Sequence, residues 1–456
     1  MPIASLRPAA ALLTLACLTA NLGAQTTTTQ TLEGKAALTD WRTDQPGLRR
    51  RLTIDDLPAP SADKPNESKV VPRPDGATPK VPAGFTAELV ASGLKGARVL
   101  RFALNGDLFV SCGQEGEVRV LRFQGDKGEP IQSDVFASNL SKPYGLLFYP
   151  AENPQWLYIA VDDGIVRVPY KEGDTTASGS PERIVSRILW PHHWTRDLIA
   201  SPDGERLMLA VGSGSNAAQD MFPAPRVEGG LEGWKKTRPL GAAWDTEERR
   251  ACILTFTPDG KDEQTFATGI RNPSGVCVNP ATKDIWAVVN ERDGLGDDTP
   301  FEFATRVEKG SFHGWPWYYM GGNEDPRHKG ARPDLKDQLA QPDVLMQAHT
   351  APLQICFYNA EQFPREYRNS AFVTMHGSWS RGSRVGYKVV RILFDNDNKP
   401  TGEVEDFMTG MVVNDKEVWG RPVGLAVARD GSLYVSEDGN GTIWRVRYTG
   451  ASLSPE

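Results

Sequence analysis

Residues 421–437, RPVGLAVARDGSLYVSE, contain the pattern that decides the fold. Two short apolar runs flank Asp430-Gly431, and such a dipeptide between apolar runs is a strong signal for a β-hairpin. The runs are rich in Val, Leu and Tyr and are too short to be helices. They therefore predict two buried strands joined by a tight turn.

The same order of a polar beginning, an apolar run, a turn and a second apolar run occurs six times. The six segments are 96–112, 142–161, 192–211, 271–289, 350–375 and 421–437. No helical periodicity separates them, so the repeats predict an all-β fold, a six-bladed β-propeller. A β-sandwich or two tandem β domains is the alternative interpretation of the same strands.

The sequence divides into three parts. Residues 1–24 carry one Arg, an apolar run and then small residues, which is typical of a secretory signal peptide; a lipoprotein anchor at Cys17 is the alternative. Residues 25–80 are rich in Thr, Pro and charge and predict a disordered or wrapping N-terminal arm. Residues 81–450 hold the predicted propeller. We expect a periplasmic or secreted protein that does not span a membrane.

Composition limits the partners and the redox chemistry. The formal net charge of −7 gives no reason to expect a nucleic acid as partner. Cys112, Cys252, Cys277 and Cys356 lie within apolar segments, so we expect buried free thiols rather than two disulfides. No Cys-x-x-Cys-His motif occurs in the chain, which excludes a covalently attached haem of that type.

In a propeller the first strand of each blade lines the central channel, so the residues that precede these strands meet at one rim. Five of the six repeats bring a cation or an imidazole there. The six positions hold Arg98, Lys142, His192 with His193, Arg271 with Asn272, Thr350, which is the exception and stands next to His349, and Arg421. This pattern predicts a site for a compact anion with several carboxylates or phosphates.

A second group of candidate residues follows the fourth repeat, in NERDGLGDDTPFEFATRVEKGSFHGWPWYY at 290–319. Its acidic residues are Glu291, Asp293, Asp297, Asp298 and Glu302. Oxygen-rich loops with glycine turns suit a hard cation such as calcium, although this spacing is not that of an EF-hand. A solvated acidic loop is the alternative.

The motifs of the third, fourth and sixth repeats and the acidic stretch NERDGLGDD resemble the glucose/sorbosone dehydrogenase family, together with KGSFHGWPW at 309–317 and FVTMHGSWSR at 372–381. The resemblance covers about residues 81–448 and is closest to the sorbosone-dehydrogenase branch. It implies a six-bladed propeller that uses pyrroloquinoline quinone (PQQ) and calcium (Ca2+).

The resemblance also implies roles for individual residues. His193 takes the place of the catalytic base. Arg271 takes that of the arginine that polarises the reacting quinone carbonyl, and Asn272 and Arg421 match cofactor-binding residues. Ser213 stands where glucose-oxidising relatives place the Asp that orients the base.

Other positions are less strictly matched by the resemblance. Lys142 or Tyr144 stands where relatives have a substrate-contacting Gln, and Lys142 is also a candidate cofactor contact. His376 or Arg381 stands where some relatives place a lysine over the cofactor. For the metal, the resemblance implies the backbone carbonyls of Arg292 and Asp293, and a nearby calcium site at Asp297 and Asp298.

The sequence thus predicts an exported dehydrogenase that oxidises a sugar, a sorbosone-like sugar aldehyde or a polyol derivative. Histidine is a suitable general base near neutral pH, and an arginine can stabilise charge on a quinone oxygen. Without a haem motif, electrons would pass to a separate acceptor, a cytochrome or a quinone. The alternatives are a calcium-dependent lactonase-type propeller and a non-catalytic propeller that binds a glycan or protein. A lactonase would need Glu, Asn and Asp before the first strands, where this chain has mainly Arg, Lys and His.

Overall fold

A computed structural model describes residues 1, 31–62, 64–125, 128–188 and 192–450. The predicted signal peptide, apart from Met1, lies outside these residues. The described chain is mostly β, so the predicted all-β class is confirmed. Its α-helix is Gly230–Thr237. No helix in the described ranges combines the length and apolar character needed to cross a membrane.

Six sheets of at least four strands dominate the described chain. Their strands pair antiparallel, except that Thr31–Glu33 pairs in parallel with Arg49–Arg51. Sheet 1 contains Ala97–Phe102, Leu108–Cys112, Glu117–Arg122 and Gln132–Ala137. Sheet 2 contains Leu146–Tyr149, Trp156–Val161, Gly164–Pro169 and Glu182–Val185. Sheet 3 contains Leu198–Ala200, Leu207–Val211, Cys252–Phe256 and Gln264–Thr268.

Of the remaining large sheets, the last two include strands from the N-terminal part of the chain. Sheet 4 contains Pro273–Val278, Ile285–Val289, Glu302–Arg306 and Val344–Met346. Sheet 5 contains Pro352–Tyr358, Ser370–Met375, Lys388–Phe394 and Pro400–Met408, extended by Arg49–Arg51 and then Thr31–Glu33. Sheet 6 contains Pro422–Val427, Leu433–Glu437, Thr442–Tyr448 and Phe85–Ala91.

Short elements complete the described fold. Lys69–Val70 pairs with Glu417–Val418, which pairs with Val412–Asn414, and Tyr318–Tyr319 pairs with Asn323–Glu324. The 3-10 helices are Gly34–Ala37, Trp41–Thr43, Ile54–Asp56, Asp245–Glu247, Met320–Gly322, Pro333–Gln338 and Arg365–Tyr367.

Each of the six repeats forms the first two strands of one sheet, as the hairpin pattern predicts. The turn at Asp430-Gly431 shows why. Gly431 has a φ of 85°, and the Asp430 carboxylate accepts hydrogen bonds from the Ser432 backbone N–H at 2.9 Å and from its hydroxyl at 2.5 Å. These local contacts stabilise the turn, and Arg445 of the third strand adds an ion pair with Asp430 at 2.5 Å.

The first strands of successive sheets contact one another, and the first strand of sheet 6 contacts that of sheet 1. Glycine permits one of these approaches, because a Cβ on Gly424 would stand 2.2 Å from the Arg98 carbonyl oxygen. The Ser436 hydroxyl donates to the same oxygen at 2.5 Å. Sheet 6 also joins the two ends of the repeat region, since Phe85–Ala91 pairs with Thr442–Tyr448.

The described part of the N-terminal arm packs along sheet 5 through buried charges. Arg50 bonds Asp406 and Asp44, each at 2.9 Å, and Lys388 bonds the same two carboxylates at 2.7 and 2.6 Å. The arm then reaches the acidic loop, where the Ser61 N–H donates to the Leu295 carbonyl at 2.8 Å. The N-terminal arm, which the sequence predicts to be disordered or to wrap the surface, therefore supports one wall of the site described below.

Two long insertions pack together beside the sheets. Residues 212–251 connect the second and third strands of sheet 3, and residues 307–343 connect the third and fourth strands of sheet 4. Their aromatic residues form a shared core in which the Trp244 and Trp317 rings lie 4.9 Å apart. The insertions thus form a stable structure of their own and hold the loops at their bases in place.

Candidate active site

A cavity of about 330 Å³ lies where the residues before several first strands meet. Its walls are formed by Arg98, His192, His193, Trp194, Arg271, Asn272, Asn290, Glu291, Asp293, Glu302, His349, Ala351, Leu353, His376, Gly377 and Trp379. A groove of about 550 Å³ shares Arg98 and Trp194 with the cavity and contains Lys142. The structure therefore brings most of the predicted rim residues to one place.

His193 is held as a neutral imidazole. Its Nδ1 lies 3.1 Å from the Ser213 carbonyl oxygen and 3.0 Å from the Ser213 hydroxyl. That hydroxyl donates its own proton to the Ser215 carbonyl at 2.6 Å, so it can only accept from the imidazole. Nδ1 consequently carries the ring proton, and Nε2 keeps an available lone pair.

The surroundings of His193 favour this uncharged form. Burial lowers its pKa well below the usual 6.5, and the positive charge of Arg271 and the neighbouring His192 lower it further. Arg250 fixes the backbone here, donating to the carbonyls of His193 at 2.9 Å and of Ser213 at 2.6 Å. The predicted replacement of an orienting Asp by Ser213 thus preserves the ring orientation but removes a charge that would raise basicity.

Arg271 is buried and is held by main-chain oxygens. Its Nη1 donates to the carbonyls of Asn290 at 3.1 Å and Glu291 at 2.6 Å, and its Nε donates to that of Asn216 at 3.0 Å. Nη2 donates to the Asn216 side-chain oxygen at 2.9 Å. Of the five guanidinium hydrogens, one on Nη2 makes no hydrogen bond with the described residues, although Asp293 Oδ2 lies 3.8 Å from Nη2 and forms an ion pair with it. A ligand can accept this hydrogen.

Asn272 presents an unsatisfied acceptor to the same cavity. Its Oδ1 is buried and makes no hydrogen bond with the described residues. A Cβ on Gly212 would lie 2.3 Å from this oxygen and 2.7 Å from the His193 Cβ, so the backbone there must be glycine. A buried acceptor without a partner is costly and is expected where a ligand supplies the donor.

Asp438 links three of the predicted cationic side chains, although the sequence analysis did not select it. Its carboxylate lies 2.9 Å from Arg98 Nη2, 2.9 Å from His376 Nε2 and 3.0 Å from Arg421 Nε. Burial opposes the charge of Asp438, but Arg98, His376 and Arg421 hold its pKa well below the usual range. His376 and Arg381 are the two alternatives for a residue predicted to lie over the cofactor, and of these His376 lines the cavity and contacts Asp438.

The acidic loop contributes a charged pair to the opposite wall. His349 Nδ1 lies 3.2 Å from Asp293 Oδ1, and its Nε2 lies 3.0 Å from the Gly296 carbonyl oxygen. Although burial disfavours the charge, these two acceptors raise the pKa of His349. Deeper in the wall, burial raises the pKa of Glu291 to about 7 and that of Glu302 to about 8.

The residues predicted to hold calcium are engaged in protein contacts. The Asp293 carbonyl accepts hydrogen bonds from Arg292 Nε at 3.0 Å and from Asn216 Nδ2 at 3.0 Å. The Asp297 carboxylate accepts the Lys64 and Gly382 N–H groups, each at 3.2 Å.

Asp298 pairs with Arg381 at 2.6 Å, so this arginine belongs to the loop rather than to the cavity wall. In the described ranges no group of three or more His, Cys, Asp or Glu side chains is arranged to hold a metal ion. Backbone carbonyls such as those of Arg292 and Asp293 lie outside that finding, so the calcium site stays a prediction.

Comparison with known proteins agrees with this architecture. Residues 79–306 and 329–449 match the family described as TrAA12-like. The chain belongs to the TrAA12-like family. The predicted resemblance to soluble sugar dehydrogenases that use PQQ is thereby confirmed.

Relatives of this TrAA12-like chain are distant. A pyrroloquinoline quinone-dependent sugar dehydrogenase from Hypocrea jecorina is 23% identical over 405 residues, covering 79% of this chain and 87% of the relative. An uncharacterized protein from Borreliella burgdorferi is 33% identical over 203 residues, which are 44% of this chain, and the chain spans only 53% of that relative. The holo form of the PQQ domain of pyranose dehydrogenase from Coprinopsis cinerea aligns with a TM-score of 0.66 at 21% identity, covering 82% of this chain and 98% of that one.

The role of Asp438 can be tested by replacing it with asparagine. Asp438→Asn leaves Arg98, Arg421 and His376 beside a neutral group, so we expect the free energy of unfolding to fall by about 3 kcal/mol at pH 7. Because the pKa of Asp438 is depressed in the folded protein, its contribution is complete above about pH 4 and declines as the pH falls further. Denaturant unfolding at pH 7 and at pH 3 measures both effects. The exposed Asp397→Asn is the control, and an equally small loss for both variants would contradict the role of Asp438.

Proposed function

We propose that the protein is a PQQ-dependent dehydrogenase of a sugar, a sugar aldehyde or a related polyol. The observation that carries the proposal is the meeting of a neutral histidine, His193, and a buried arginine, Arg271, in one cavity. A base that accepts a hydroxyl proton and a cation that stabilises developing negative charge are the two groups this oxidation requires. The names of the Hypocrea and Coprinopsis relatives agree with this chemistry.

The proposal includes a six-bladed propeller. The six large sheets would be its blades, with their first strands around the central axis. This is supported by the contacts between successive first strands and by the return contact from sheet 6 to sheet 1. The N-terminal strand in sheet 6 would close the ring, and residues 81–450 would form the dehydrogenase domain.

The cavity suits this cofactor by charge and by hydrogen bonding. Arg98 and Arg271 supply positive charge for carboxylates and quinone oxygens, and Lys142 and Arg421 extend it on neighbouring surfaces. The free Oδ1 of Asn272 would accept a hydrogen bond from a ring N–H or a substrate hydroxyl. Trp194 and Trp379, on the cavity wall, offer flat surfaces to a ring. The bound quinone would supply the hydride acceptor.

The protein residues then have separate tasks. His193 Nε2 takes the proton from the substrate hydroxyl, while Ser213 holds the opposite nitrogen and keeps the ring oriented. Arg271 keeps a fixed positive charge and one Nη2 hydrogen at the cavity, because carbonyl oxygens hold its other donors. Such a group is oriented before the reaction begins and needs little reorganisation.

Calcium belongs to the proposal as an ion that the Arg292 and Asp293 carbonyls, with Asp297 and Asp298 nearby, would hold, as the resemblance implies, and no step is assigned to it. Export by the predicted signal peptide and electron transfer to a separate cytochrome or quinone remain parts of the proposal. They rest on the sequence pattern of residues 1–24 and on the lack of a haem motif.

Cofactor binding is the first test of the proposal. Titration of the purified protein with PQQ should give saturable binding, followed by the absorbance of the bound quinone. Arg271→Ala should weaken binding by about tenfold or more, because a charged hydrogen bond is lost in a buried site. Arg183→Ala, which removes an exposed arginine paired with Asp163, should bind like the wild type. Failure of the wild type to bind PQQ would overturn the proposed function.

The second test concerns the base. In the wild type, sugar oxidation should lose kcat/KM only below pH 6.5, because the pKa of His193 is lowered and protonation removes the base. Ser213→Asp places a carboxylate beside Nδ1, stabilises the imidazolium and should move this acidic limb to higher pH. Ser133→Asp, on the exposed outer strand of sheet 1, is the control. An unchanged limb in Ser213→Asp would argue against His193 as the titrating base.

A further inference from the structure

Asn216 contacts both Arg271 and the main chain of Asp293, two parts of the site that the proposed function treats separately. It lies at the beginning of the first insertion, five residues after the strand Leu207–Val211. Its side-chain oxygen accepts hydrogen bonds from Arg271 Nη2 and from the Asp293 N–H, both at 2.9 Å. Its side-chain nitrogen donates to the Asp293 carbonyl at 3.0 Å.

The amide thus pairs with both main-chain polar groups of Asp293 while it holds Arg271. The Asn216 main-chain oxygen adds another contact, accepting Arg271 Nε at 3.0 Å. One residue therefore fixes two of the nitrogen atoms of the guanidinium and the backbone from which Asp293 reaches His349. Among the common side chains, only the amides of asparagine and the longer glutamine offer an acceptor and a donor in one plane.

Asn216 is itself held from outside the cavity. Trp315 of the second insertion is buried and donates its indole N–H to the Asn216 main-chain oxygen at 3.2 Å. The next residue, Ala217, has its carbonyl oxygen 2.8 Å from His328 Nε2. Both contacts come from residues 307–343, so the packed insertions set the position of Asn216 relative to the sheets.

We infer that Asn216 is a positioning residue that directs the remaining Nη2 hydrogen of Arg271 into the cavity. The inference rests on the proposed function, because it assigns Arg271 to the quinone. In this inference the packed aromatic core of the two insertions holds Asn216 in place, and Asn216 in turn holds the guanidinium of Arg271. Asn216 does not need to touch the substrate, so its loss should affect the chemical step and quinone binding more than sugar binding.

The test compares Asn216→Ala with Asn216→Asp. The alanine variant loses all three side-chain contacts, whereas the aspartate keeps an acceptor for Arg271 and for the Asp293 N–H. We expect kcat to fall by about 10²-fold in Asn216→Ala, because small displacements of a reacting group cost about this much, with KM for the sugar changed by less than about threefold. Asn216→Asp should recover a large part of kcat and of PQQ affinity.

A second readout is independent of the cofactor. Hydrogen–deuterium exchange of segment 290–296 in the apo-protein should be faster in Asn216→Ala than in the wild type and largely restored in Asn216→Asp. The matched control is Asn323→Ala, which removes an amide that, among the residues the structure describes, bonds to the Met320 carbonyl at 2.7 Å within the second insertion. It should leave exchange, PQQ affinity and kcat unchanged.

The outcomes separate the two claims. Wild-type protein that binds no PQQ overturns the proposed function and this inference with it. Wild-type binding together with unchanged kcat and exchange in Asn216→Ala overturns the positioning role alone. The same holds if the alanine variant loses activity only in proportion to lost thermal stability, or if aspartate is no better than alanine.

Discussion

The buried guanidinium of Arg271 is the group on which the rest of the site depends. A cation removed from water needs its donors satisfied, and here the carbonyls of Asn216, Asn290 and Glu291 do most of this. These carbonyls come from an insertion of sheet 3 and from the loop after the second strand of sheet 4, so the arginine joins two sheets. The Ser213 N–H also donates to the Arg271 carbonyl at 2.7 Å, which connects the support of His193 to the same residue. Base and cation are therefore positioned by one continuous set of hydrogen bonds.

Much of the fold could be predicted because its signals are local. Turns such as Asp430-Gly431 and short apolar runs specify hairpins within about twenty residues, and each hairpin proved to be the beginning of a sheet. The residues before the first strands could be chosen for the same reason. His193, Arg271 and Asn272 follow from position in the repeat, and all three line the cavity.

Contacts between distant segments could not be predicted in this way. Asp438 follows a strand like many other acidic residues, and only folding brings Arg98 and His376 to it. Asn216 lies in a region without apolar periodicity, and its importance comes from the partner insertion that supplies Trp315. The acidic loop is a further case: its charge is evident in the sequence, but its contacts with the Lys64 and Gly382 N–H groups and with Arg381 come from distant segments. The acidic composition of the loop predicts a positively charged partner but does not identify that partner.

The central claim is that the cavity between His193 and Arg271 is the place where a quinone and a sugar react. A crystal structure of the protein grown with PQQ tests this most directly. We expect the quinone to occupy this cavity, with an oxygen within hydrogen-bond distance of Arg271 Nη2 and with His193 Nε2 facing its reactive edge. A well-ordered quinone bound elsewhere, with Arg271 making only its carbonyl contacts, would show that the cavity is not the reaction site.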